Sequence, residues 1–341
     1  MKPLSRFPTL RVPRVLGAFP ALANLFLSGL LALASVGAMA QTSGTLPALS
    51  LSLSVLQFGT PHWELEHLQR RQLDRANGFE LKVRLVADLP ASRLAVTSGS
   101  VNGAVGDLLW TQARHAAGAS HLYLPFSSQI GEILVPEGSD IRQLSDLAGK
   151  RIGVAGGPDG LGWLLLQQAA SRQGIDLSKN PRVQFAAPPL LGQALKRGQV
   201  DALLTFWHFA ARMKGEGGVR QAFAMQDLLT DLGLQGEQAV LGYVFPLAWA
   251  EANRPLLEAF ARALQQTKQE LAQTPAYWDE IRPLLRADDE AVFDELRRAF
   301  IDGTPAPLDE ARIAELQRLL VLTGADPARV MPAGLFFRAQ P

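Results

Sequence analysis

The chain has 341 residues, with 33 Lys+Arg against 32 Asp+Glu, a net charge of +1 and no cysteine. The missing thiol excludes disulfides, thiolate metal sites, a cysteine nucleophile and a lipid on an N-terminal cysteine. The even charge balance speaks against a nucleic-acid or membrane-surface partner.

The first 40 residues stand apart from the rest. Lys2, Arg6, Arg11 and Arg14 make a basic start, Val15 to Val36 is almost continuously apolar, and Ala38-Met39-Ala40 has the small-x-small form that signal peptidase cleaves. A membrane anchor needs a similar apolar length. Pro20, Gly29 and the polar Gln41-Thr42-Ser43-Gly44 that follows favour cleavage after Ala40 instead. The expected product is periplasmic, near neutral or slightly acidic, and not inserted in a membrane. Its length of about 300 residues exceeds one comfortable core, so two lobes are expected.

From Leu49 the pattern alternates between strand-like and helix-like segments, which predicts sheets with parallel strands covered by helices. Strands are expected at 51–58, 79–86, 101–106 and 120–125, with helices at 63–76, 91–98 and 108–117 between them. Residues 130–136 read as an extended segment leaving this lobe. The next group has a short turn at 144–147, strands at 151–155, 182–187 and 200–205, and helices at 161–172, 190–197 and 206–214. Residues 238–249 are again extended and apolar and can return the chain. Helices are expected over 251–274, 275–285, 288–300 and 308–322; they either pad the first lobe or form a docking surface.

Two crossings between two α/β lobes make a hinged clamshell with a ligand between the carboxyl ends of the sheets. The expected division is a signal at 1–40, lobe 1 at 41–134, lobe 2 at 135–242, and a second part of lobe 1 with the C-terminal helices at 243–341. Within lobe 2, Gly156, Gly157 and Gly160 allow a sharp turn between a strand and an apolar helix, whose first N–H groups face outward. An ordinary tight connection needs the same glycines. Asp288-Asp289-Glu290 is acidic enough to suggest a metal, but capping of a helix N-terminus explains it better. No Ser/His/Asp arrangement, phosphate loop or metal-ligand spacing is present, so neither enzyme chemistry nor a cofactor is expected.

Four stretches in order carry a family resemblance: Leu94 to Asp107, Ile141 to Val154, Ala194 to Ala202, and Thr205 to Phe209. They resemble periplasmic substrate-binding proteins of ABC importers, in the nitrate/sulfonate/taurine branch that shares its fold with thiamine-pyrimidine-precursor proteins. The likeness covers about residues 50 to 270. It implies capture of a small organic solute, delivery to an inner-membrane ABC permease, and no cofactor. A non-transport clamshell serving a sensor or dehydrogenase, or a pyrimidine-synthase-like enzyme, are the alternatives on the same fold.

Matching motifs place Gln57, Phe58, Thr60, His62 and Trp63, then Asp107 and Trp110, then Asp159, Gly160 and Trp163, then Trp207 and His208, and finally Tyr243 at the cleft. Four of the six tryptophans fall in this set. Aromatic rings there can stack on a planar ligand, shield an alkyl chain or hold a cation, although the same rings also pack cores. The family commonly shows Gly-Ser or Gly-Thr where this chain has Pro158-Asp159-Gly160, and Trp-Asp/Glu-Pro-Phe where it has Phe206-Trp207-His208-Phe209. A capping Asp159 would occupy an anion's place. With Asp107 opposite, a neutral or cationic organic ligand stands as an alternative to the sulfonate-, nitrate- or pyrimidine-precursor-like solute that the resemblance implies.

Overall fold

In the computed structural model, residues 49–57 and 59–338 are described. The expected signal, its cleavage point and Phe58 lie outside the described residues. The first half runs β1 (Leu49–Leu56), α1 (Thr60–Arg70), α2 (Leu73–Ala76), β2 (Phe79–Val86), α3 (Leu89–Thr97), β3 (Gly103–Asp107), α4 (Leu108–Ala116) and β4 (His121–Ser127). It continues through β5 (Glu132–Pro136), β6 (Ile152–Ala155), α5 (Leu161–Arg172), β7 (Val183–Ala186), α6 (Pro188–Lys196), β8 (Ala202–Thr205), α7 (Trp207–Glu216), β9 (Val219–Gln221) and α8 (Met225–Asp231). The last stretch is β10 (Leu241–Pro246), α9 (Leu247–Ala252), α10 (Arg254–Gln273), α11 (Ala276–Leu285), α12 (Glu290–Asp302) and α13 (Glu310–Leu322).

These strands form two five-stranded sheets of matching plan, in the orders β2-β1-β3-β10-β4 and β7-β6-β8-β5-β9. Four strands of each sheet run the same way, and the fifth, β10 or β5, is antiparallel to both neighbours. The two extended segments anticipated from sequence supply these antiparallel strands. Each is the strand through which the chain enters a sheet after leaving the other.

Period-two alternation sends Leu51, Leu53 and Val55 to one face of the first sheet, where Leu65, Leu68, Phe260 and Leu264 from α1 and α10 cover them. Each such side chain contributes roughly 1.5–3 kcal/mol by leaving water. Both lobes repeat one device at the end of their second covering helix. Gly99 and Gly198 adopt positive φ, and the next residue's N–H returns to a helical carbonyl, Ser100 to Ala95 at 3.0 Å and Gln199 to Ala194 at 2.8 Å. That geometry closes the helix and launches the following strand without any ligand.

The structure corrects several expected boundaries. The helix anticipated over 63–76 is two helices broken at Gln72, which takes φ 54°. The break lets Asp74, buried on α2, accept the Leu81 N–H of β2 at 2.9 Å. Only Leu241–Pro246 of the segment 238–249 is strand, and β9 and α8 were not anticipated. The described residues belong to one compact unit. None of their helices is long and apolar enough to cross a membrane.

Candidate functional site

The turns that follow β1 and β8 meet through their tryptophans. Trp63 on α1 and Trp207 on α7 pack edge-to-face with centroids 6.1 Å apart, and Phe300 of α12 touches both at 6.1 and 6.4 Å. Both tryptophans are buried, 2 % and 4 % exposed. The turns after the two strands therefore meet in a seam over buried rings from α1 and α7, with Phe300 of α12 behind them. Two buried polar groups in this region lack a partner, the Trp63 indole nitrogen and the Thr205 hydroxyl.

Around the seam, the helix starts divide into two kinds. Asp88 caps α3 and Asp107 caps α4, each accepting a backbone N–H at 2.8 Å. The starts of α1 at Gly59, α5 at Gly160 and α7 at Phe206 have no side-chain cap. At α5 and α7 the first N–H groups stay outside the helical ladder, at the positive ends of two helix dipoles, whereas in α1 Pro61 has no N–H and the His62 N–H returns to the Gly59 carbonyl at 3.1 Å. Asp159 is exposed and does not cap α5; the expectation that its carboxylate fills that position is overturned, because the helix begins one residue later, at Gly160.

Asp107 is also committed elsewhere. Besides capping α4 it pairs with Arg93 at 2.6 Å, and the Arg93 guanidinium lies 5.3 Å from the Trp110 ring. The expected pair of free carboxylates facing an aromatic cleft is thus absent: one is neutralised by an arginine that no motif had signalled. His62 Nδ1 lies 2.8 Å from the Gln57 carbonyl; since a carbonyl only accepts, Nδ1 donates there. His62 and Thr60 are buried at the start of α1, whereas the Gln57 side chain is exposed.

Other expected positions sit in cores. Trp163 is buried against Phe185, 5.8 Å away and edge-on. Tyr243 is wholly buried in the first sheet and its hydroxyl donates to Glu64 Oε1 at 2.7 Å, with burial and that carboxylate pushing its pKa well up. Trp110 is half-buried, its ring 5.3 Å from that of His121. His208 is half-buried among Phe206, Trp207 and Phe209; removal from water, with Arg212 adding repulsion, lowers its pKa to about 4. Phe206 itself is 44 % exposed at the turn. The structure thus gathers Thr60, His62, Trp63, Gly160, Trp207 and His208 around uncapped helix starts or the rings beside them, and sets Trp163 and Tyr243 apart from them.

Among the described residues no group of three His, Asp or Glu side chains is placed to hold a metal ion. In the acidic run at 288–290, Asp289 caps α12 through the Ala291 and Val292 N–H groups, and Glu290 pairs with Arg282 at 2.8 Å.

Compared with known families, residues 77–277 match the model described as NMT1/THI5 like. The chain belongs to this NMT1/THI5-like family. No curated protein matches the sequence. Among solved structures, the NMT1/THI5-like chain is similar to the periplasmic aliphatic sulphonate binding protein SsuA from Escherichia coli, with TM-score 0.66 and 18% identity over 80% of this chain and 91% of that one. The alkanesulfonate-binding protein SsuA from Xanthomonas axonopodis pv. citri, bound to MOPS, gives TM-score 0.65 and 21% identity over 86% and 99%. The periplasmic nitrate-binding protein NrtA from Synechocystis PCC 6803 gives 0.56 and 12% over 81% and 80%. At these identities the shared property is the fold, an α/β two-lobed clamshell.

Proposed function

We propose that this chain is a periplasmic solute-binding protein of an ABC importer and that its seam takes a small organic anion, a sulfonate or a molecule of similar charge. The observation that carries this reading is the pair of uncapped helix starts at Gly160 and Phe206, beside the exposed Phe206 ring. Backbone N–H groups at a helix N-terminus bind oxyanions, and apolar rings shield an organic body. Thr60, His62, Gly160 and His208 are the proposed polar contacts, Gln57 a rim contact, and Trp63, Trp207 and Phe206 the apolar ones. The pairing of Asp107 with Arg93 removes the main support for a cationic ligand. The similar solved structures are of sulfonate- and nitrate-binding proteins, which supports a binder over an enzyme.

Calorimetric titration with an alkanesulfonate tests this reading on wild type and on Gly160→Asp. A Cβ at residue 160 meets the Gly157 carbonyl at 3.2 Å, a small adjustment, and aspartate is a good N-cap. The variant is expected to keep its melting temperature and to lose at least about tenfold in affinity, because its own carboxylate takes the anion's place. Stabilisation of wild type by alkylamines, with none by sulfonates or nitrate, overturns the reading.

A further inference from the structure

Beside the β4 edge of the first sheet the structure holds a pocket of about 440 Å³, partly open to solvent. Helix α10 forms one side with Ala261, Leu264 and Lys268, β4 contributes Leu124, and the end of α12 with the segment after it forms the other side through Ile301 and Leu308. None of its lining residues belongs to the strand-end turns described above. Its size suits a small molecule and its walls are mostly apolar.

One end of this cavity is charged. Lys268, 11 % exposed, pairs at 2.7 Å with Glu64 Oε2, and Glu64 is wholly buried. The other oxygen of Glu64 accepts the Tyr243 hydroxyl at 2.7 Å. The ammonium's other near neighbours are rings, Phe300 at 4.7 Å and Phe126 at 5.9 Å. An ammonium has three N–H donors, and among the described residues Glu64 is the carboxylate paired with this one. A second acceptor is chemically wanted at this wall. Because Glu64 already balances the charge of Lys268, an added anion would meet no net positive charge, and a cation would face the ammonium directly.

We propose that this cavity is a second binding site, for a compact apolar molecule carrying one neutral hydrogen-bond acceptor such as a ketone, alcohol or ester. The acceptor oxygen takes a spare N–H of Lys268 and the hydrocarbon body fills the space between α10 and the 301–308 segment. This assignment is independent of what the seam binds.

Three probes share one rigid skeleton: adamantanone, adamantane carboxylate and adamantylamine. Methyl NMR on the wild-type protein is expected to show intermolecular contacts from adamantanone to Leu264, Ile301 and Leu308, with a dose-dependent rise in melting temperature. The carboxylate and the amine are expected to bind at least about tenfold more weakly. Ala261→Phe, which fills the space, should abolish those contacts. The double variant E64Q/K268M removes both charges together and should weaken adamantanone while leaving a fold that melts cooperatively. Absence of contacts to the three methyl-bearing residues in wild type overturns the site, whatever the variants do; equal or tighter binding of the carboxylate overturns the ligand class.

Discussion

Asp107 and Asp159 carry the same carboxylate at the ends of equivalent turns, yet one caps a helix and pairs with Arg93 while the other faces solvent. The difference lies in a single residue of helix register: Asp107 is the N-cap of α4, whereas Asp159 precedes the N-cap of α5. His208 gives a residue-level prediction of its own. Its folded pKa of about 4 lies below the ordinary 6.5, so the folded state binds fewer protons and protonation favours unfolding. Its contribution is fully present above pH 6.5 and is lost as the pH falls from there towards 4. His67 and His121, also lowered by burial, add to the same trend. Denaturant titrations of wild type and His208→Gln across that range are expected to show a smaller loss in the variant. Identical losses would mean that His208 is solvated in the folded protein.

Among elements, the contact of α12 with α7 is the one that most changes the meaning of the sequence. Gly215 on α7 lies so close that an added Cβ would meet Val292 Cα at 2.5 Å and its nitrogen at 2.7 Å, backbone that cannot swing aside. Arg212 donates to the Leu285 and Arg286 carbonyls, and Lys214 reaches both Glu132 and Glu295. Gly215→Ala is therefore expected to lower stability by about 1–3 kcal/mol through forced separation of the helices, read as a lower denaturant midpoint at unchanged slope. An unchanged midpoint would show that the two helices yield freely. This contact also explains what could and could not be read from the chain. Strand positions were legible because alternation and glycine caps are local signals, and β2 fell over the residues expected. The fate of Trp63 and Trp207 was not, since the ring that covers them, Phe300, lies far downstream on a helix whose partner no periodicity names. The turns proposed for the site follow strands that were legible; which of their side chains are buried was decided by tertiary packing. Likewise Arg93 occupies an ordinary helical position, and only the fold brings it to Asp107.

At the scale of the molecule, the C-terminal helices reach elements of both sheets, with α10 and α11 packed on α1. Helix α12 packs on α7 of the second sheet, and α13 reaches the segment returning from that sheet: Arg318 donates to the Gly233 carbonyl at 2.7 Å, and the Gln235 N–H donates to Glu315 at 2.9 Å. One continuous apolar cluster holds Tyr123 and Val244 of the first sheet, Ile133 and Val154 of the second, and Leu316 and Leu319 of α13. Chains of this length built from two sheets commonly unfold in steps, because each lobe has its own core. Here a shared core and a brace on both sides couple the sheets, so that neither can melt without exposing apolar surface of the other. Scanning calorimetry is expected to give one transition with matching calorimetric and van't Hoff enthalpies. Leu316→Ala, which opens a cavity costing about 2–5 kcal/mol in this shared cluster, should lower that single transition without dividing it. Two resolved transitions in wild type would show that the lobes fold separately and that the brace transmits little between them.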